Sequence, residues 1–165
     1  MLPESNQQLS LKLENATAFV DFDTRLFYIQ YGKIIEAEVT AQVYEWMKAG
    51  ATSWFNEEDF RGGVFDFRSV EKFAFGNTVV AQQASQEVNE VADYSILPLA
   101  LIVNNVQQAT RVRMSMRQND TRRKGLVFSE EKALEFINSW NKEHNRLVKV
   151  EESLLMAWPS YTPGN

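Results

Sequence analysis

At 165 residues, with 44% apolar and 24% charged side chains, the chain suits one domain with a sizeable core. It has no cysteine, which excludes disulfides, thiolate nucleophiles, iron–sulfur clusters and cysteine-held zinc. A net charge of −5 argues against nonspecific nucleic-acid binding, which needs many cations facing phosphates.

Residues Met1 to Gln8 lack the basic-then-apolar layout of a signal peptide. No apolar run approaches the ~20 residues that span a bilayer. The expectation is a cytoplasmic protein with no integral membrane association, and an absence of cysteine fits a reducing compartment.

In chain order, Leu9, Leu11 and Leu13 alternate with polar residues and predict a short strand. Thr17 to Phe22 predicts a second. After a turn at Asp23-Thr24, the run Leu26 to Tyr31 predicts a third, closed by Gly32. From Ile35 the period becomes helical through Val39, Val43, Trp46 and Met47, with Gly50 expected as the C-cap. Trp54 to Arg61 reads as a polar, acidic connection.

Gly62-Gly63 precede a short strand, Val64 to Phe67. A long helix follows from about Gly76 to Asp93, with Val80, Ala84, Val88 and Val91 in one stripe. Leu97 to Val103 is almost wholly apolar, as befits a strand covered on both faces. Val106 to Arg117 predicts a helix with Val106, Ala109, Val112 and Met116 inward. Lys124 to Phe128 is the last strand, and Ser129 is an N-cap before Glu130 and Glu131. The last helix turns Ala133, Phe136, Ile137 and Trp140 to one side and ends near Asn145.

Hairpin, then helix and strand in alternation, predicts an α/β fold with a mixed β-sheet, an antiparallel N-terminal hairpin and about four helices. Residues 1–146 form this domain. Residues 147–165 are a C-terminal tail whose Leu154-Leu155-Met156-Ala157-Trp158 is apolar and must dock on the domain or on a partner.

The hairpin ending in Gly32, the run Val64-Phe65-Asp66-Phe67-Arg68, and Gly125 to Leu134, where a strand enters a Glu-rich helix start, carry a family likeness. They resemble the SpoIIAA-like (STAS) superfamily, the fold of bacterial anti-sigma-factor antagonists, and within it an uncharacterised STAS-like subgroup. The likeness covers roughly Ala16 to Trp140. It implies a SpoIIAA-like α/β fold and a bacterial regulatory protein that works by protein binding. Phosphorylated antagonists carry Asp-Ser-Ser-Gly where the third strand's loop enters helix two. Gapless alignment from Asp66 places Ala74-Phe75-Gly76-Asn77 there, so the resemblance implies no phosphorylation switch at that position.

Candidate sites are few. Asp66 and Arg68 share a face at a strand's C-terminal end, where open α/β sheets place ligands, and are the candidate ligand-binding residues. The competing reading is a loop-bracing ion pair. A basic stretch, with Arg111, Arg117, Arg122 and Arg123, and the tail residues Leu154, Leu155 and Trp158 are the candidate partner-binding residues. His144 is the only histidine and sits at a helix end without metal-ligand company. The carboxylates Glu57, Glu58 and Asp59, and Glu87, Glu90 and Asp93, read as solvated charge. No Gly-x-Gly-x-x-Gly, Walker or Gly-x-Ser-x-Gly motif occurs, so no cofactor, metal or catalytic residue is expected.

The leading expectation is a non-enzymatic protein-interaction or regulatory module with a protein partner or a homodimer, and no nucleic acid. The alternative is a carrier or sensor of a small apolar or anionic ligand at the C-terminal end of the sheet.

Overall fold

The structure, a computed structural model, describes residues 9–56, 58–74, 76–91, 96–115 and 123–146. A six-stranded mixed sheet carries the strands β1 (Ser10–Lys12), β2 (Ala16–Asp21), β3 (Leu26–Tyr31), β5 (Gly62–Asp66), β7 (Leu99–Ile102) and β8 (Lys124–Val127), side by side in that order. The first three are antiparallel neighbours; β3, β5, β7 and β8 run parallel. Two short strands, β4 (Ile34–Ile35) and β6 (Lys72–Phe73), pair apart from this sheet. Among the described residues there are four helices: α1 (Ala37–Ala51), α2 (Asn77–Val91), α3 (Val106–Ser115) and α4 (Glu130–Glu143).

The strand order explains the layers. Each step from β3 to β5 to β7 to β8 moves the same way across the sheet. Right-handed crossovers that never reverse set successive helices on one face. Accordingly Phe27, Ile29, Tyr31, Phe65, Leu99 and Leu101 pack with Val43, Trp46 and Met47 of α1, Val88 of α2, and Ala109 and Val112 of α3. The alternate residues Leu26, Tyr28, Val64, Ala100 and Ile102 face the other way and meet Ala133 and Ile137 of α4. Among the described residues helix α4 covers that side, chiefly over β7 and β8.

Several local expectations hold. Asp21 organises the turn after β2, its Oδ1 accepting from the N–H groups of Asp23 (2.9 Å) and Thr24 (3.3 Å). Strand β7 lies between β5 and β8, buried on both faces. Ser129 caps α4, its Oγ accepting from the Lys132 N–H at 3.2 Å.

Others are corrected. Ile35 belongs with Ile34 to β4 rather than to the first helix, a two-residue pairing too short for any periodicity to reveal. The connection from Trp54 to Arg61 is not merely polar: Trp54 packs at a tilt against Trp46 (5.2 Å) and Phe60 (5.7 Å), and Phe55 meets Phe60 (5.4 Å). Gly50 does not end α1. The helix continues to Ala51 and closes on Thr52 in the right-handed region. Gly50 instead makes room, since a Cβ there would stand 2.2 Å from the Trp54 ring. Val106 is 72% exposed, because it opens α3 a turn before the inward residues Ala109 and Val112. Helix α2 starts at Asn77, after Gly76 turns the chain at φ +84°, where a side chain would be strained.

Candidate functional site

Asp66 ends β5 with its side chain on the α4 face, and Arg68 follows two residues beyond the strand's end, in a turn. The guanidinium lies along the carboxylate, Nε to Oδ1 at 3.0 Å and Nη2 to Oδ2 at 2.7 Å. The Arg68 backbone N–H also donates to Oδ1, at 3.0 Å. Sequence reasoning missed the third member: Arg68 Nη2 is 2.6 Å from Glu130 Oε1, in the first turn of α4. A carboxylate suits that place for its own reasons, since it faces the positive end of the helix dipole. Arg68 thereby ties the end of β5 to the start of α4.

Behind this triad a second network closes the loops. The Asn104 Nδ2 donates to the Arg68 carbonyl at 2.6 Å. Gln108, buried on α3, donates from Nε2 to the carbonyls of Val70 (2.9 Å) and Arg68 (3.3 Å). Its Oε1 accepts from the Asn104 N–H at 2.7 Å, and its own N–H donates to Asn105 Oδ1 at 2.8 Å. Both hydrogens and the oxygen of one buried carboxamide are used, as burial demands. Nothing in the local pattern around Gln108 betrays this role, because its partners are carbonyls 38 and 40 residues away.

The electrostatics follow from the geometry. Hydrogen bonding to Asp66 holds the Arg68 guanidinium above its ordinary pKa, against the effect of its partial burial. The hydrogen bond from Arg68 likewise holds the Glu130 carboxyl below its usual range. Asp66 accepts three hydrogen bonds from one arginine, so three of its roughly four lone-pair sites are committed to that residue. The arrangement favours the loop-bracing reading of Asp66 and Arg68 over a ligand-gripping one. The sheet's topology agrees. Ligands in open α/β sheets sit where the strand order reverses, and here the parallel strands never reverse.

The candidate partner-binding residues scatter. Arg111 is on the outer side of α3, where Nη1 donates to the Glu71 carbonyl at 3.2 Å. Arg123 is not on a basic surface. It is 7% exposed, with Nη1 donating to the Leu97 carbonyl at 3.2 Å, because it enters β8 beneath the start of β7. Arg117, Arg122, Leu154, Leu155 and Trp158 lie outside the described residues, as does the whole tail 147–165. Two exposed apolar side chains mark the same end of the sheet as Arg68: Val106 after β7 and Phe128, 58% exposed, after β8.

His144 stacks on Trp140 at 3.9 Å, with Nδ1 2.9 Å from the Trp140 carbonyl oxygen. Among the described residues no three His, Asp or Glu side chains gather as metal ligands. No helix among them is long and apolar enough to cross a membrane. A shallow groove of about 160 Å³ runs between α1 and α2, floored by Ala41, Val80, Ala84 and Val88 and edged by Glu45 and Lys48. No protein-family model matches the sequence, and no curated protein matches it.

Proposed function

We propose that this chain is a non-enzymatic, STAS-like regulatory module that acts by binding another protein through the C-terminal end of its sheet. The observation that carries the reading is the closure of that end. Asp66, Arg68 and Glu130 satisfy one another, Gln108 and Asn104 lock the loops behind them, and Val106 and Phe128 project outward. A rigid surface with apolar side chains above a satisfied polar base is suited to a protein face rather than to a small ligand. Four strand–helix units wound in one direction are consistent with a SpoIIAA-like fold. The run Ala74 to Asn77 offers no hydroxyl at the position phosphorylated in antagonists, so binding here proceeds without that switch.

The test is light scattering and crosslinking of the purified chain, with capture of interacting proteins from its host. The comparison protein carries Val106→Glu and Phe128→Glu. Self-association or a captured partner that the double variant loses, with its circular dichroism unchanged, supports the proposal. A monomer that captures nothing, or a partner retained by the variant, removes it.

A carrier of a small apolar ligand is the second reading, and the groove between α1 and α2 is the feature that favours it. Its volume of about 160 Å³ falls short of the ~300–1,000 Å³ common for ligand pockets, which keeps this reading second. Co-purified mass in native mass spectrometry would bring it forward.

A further inference from the structure

The end of the sheet opposite Arg68 holds a charge that no carboxylate among the described residues answers. Arg61 enters β5 with only 7% of its surface exposed. Its backbone N–H donates to the Arg25 carbonyl at 2.8 Å, which fixes it beside the turn before β3. Its Nη2 donates to Asn138 Oδ1 on α4, while Nη1 is enclosed and has no hydrogen-bond partner. The ion pairs among the described residues are those of Arg68 with Asp66 and Glu130, and of Lys132 with Glu135; none involves Arg61.

Helix α4 offers this arginine only amides. Asn138 meets the guanidinium, and Asn141 donates from Nδ2 to the Arg61 carbonyl at 2.8 Å. Asn141 Oδ1 in turn accepts from Arg146 Nη1 at 2.8 Å, so a second guanidinium is drawn to the same corner. Thr24 adjoins Arg25 in the turn and is 2% exposed; its Oγ1 lies beside the Tyr28 hydroxyl, and both oxygens are enclosed without a well-formed hydrogen bond. Tyr28 neighbours both Thr24 and Arg61, and its burial pushes the phenol up to about 12, so it stays neutral and cannot balance the charge.

Burial lowers the pKa of Arg61, yet a guanidinium keeps its proton under any condition in which the protein is folded. A buried cation is therefore stable only if an opposite charge or solvent takes the open donor. Water would satisfy the hydrogen bond and leave the charge. We propose that Arg61 Nη1 and the Thr24 hydroxyl hold a chloride ion at the N-terminal end of β3 and β5. Both donor atoms are enclosed, which favours a monatomic anion over phosphate or sulfate.

The experiment is thermal unfolding of the full chain at constant ionic strength while chloride replaces gluconate. The melting temperature should rise with chloride and saturate, as binding to the folded state alone requires. Arg61→Gln should abolish the rise. If that variant does not fold, Thr24→Val, which removes one donor and keeps the shape, should shift the midpoint to several-fold higher chloride. Crystals grown in bromide should show an anomalous peak beside Nη1. Identical melting in both salts, chloride dependence that survives in Arg61→Gln, or a response to phosphate but not chloride would each overturn the assignment.

Discussion

Substituting Gly63 by alanine tests how tightly the two faces of the sheet are specified. Gly63 lies in β5, between β3 and β7, and an added Cβ would stand 2.3 Å from Cζ of Phe27 and 2.9 Å from Cδ2 of Leu99. Carbon atoms rest at ~3.5–4.0 Å, so the ring tip must withdraw by roughly 1.2 Å or more. It has nowhere to go: Phe27 is fully buried, and Phe65 meets it edge-on at 6.3 Å. Overpacking of this kind costs about 1–3 kcal/mol. The alanine returns about 0.4–1 kcal/mol by restricting the unfolded chain. The expected net loss is about 1–2 kcal/mol, which for a chain of this size lowers the melting temperature by roughly 2–8 °C.

Urea and thermal unfolding of Gly63→Ala, Phe27→Leu and the double variant would measure it. Shortening Phe27 vacates the space that the new methyl needs. The two substitutions should therefore couple, with Gly63→Ala costing less in the Phe27→Leu background by on the order of 1 kcal/mol. Strict additivity, or a stabilised Gly63→Ala, would refute the argument that Gly63 exists to admit the Phe27 ring.

Ser129→Ala removes the α4 cap and should destabilise the fold by about 0.5–2 kcal/mol in urea, with Ser129→Asp retaining most of the stability. Glu130 has its pKa held down in the folded state, so its contribution is present above the ordinary carboxylate range and lost as pH falls through and below 4.5. Glu130→Gln should flatten the stability profile in that acidic window and leave the alkaline side unchanged, as equilibrium unfolding at a series of pH values would show. Tyr28 has its pKa raised from 10.0 to about 12, so the unfolded chain releases the phenol's proton first and stability falls as pH rises between those values. Tyr28→Phe should make that fall shallower in unfolding measured across the same pH range, without removing it, since buried Tyr31 is raised too.

Much of the architecture could be read along the chain because it rests on local signals. The apolar and aromatic run Leu26 to Tyr31 between a turn and Gly32 marks a strand, and the Ser129-Glu130-Glu131 start marks a helix whose cap and dipole agree. The candidate pair Asp66 and Arg68 was legible because the two stand two residues apart at a strand end, although Arg68 lies in the turn and meets Asp66 through hydrogen bonds rather than through the pleat. Their partner Glu130 was not, because it comes from a helix 62 positions beyond Arg68. Arg61 reads along the chain as the end of a polar connection for the same reason. Its burial depends on Asn138 and Asn141, which sequence proximity does not bring to it. Gly50 shows the limit from another side: a glycine at a helix end looks like a cap, and only the returning Trp54 ring reveals that space was the requirement.

The sequence by itself determined the alternation of strands and helices, the cap of α4 and the interior character of Leu97 to Val103, since each follows from spacing within a few residues. Tertiary structure alone decided which face each helix covers, that the parallel strands advance without reversal, and that Arg68 is clamped between two carboxylates while Arg61 is buried with none. Those are matters of which distant segments meet, and the energy of a charge is set by its neighbours in space rather than along the chain.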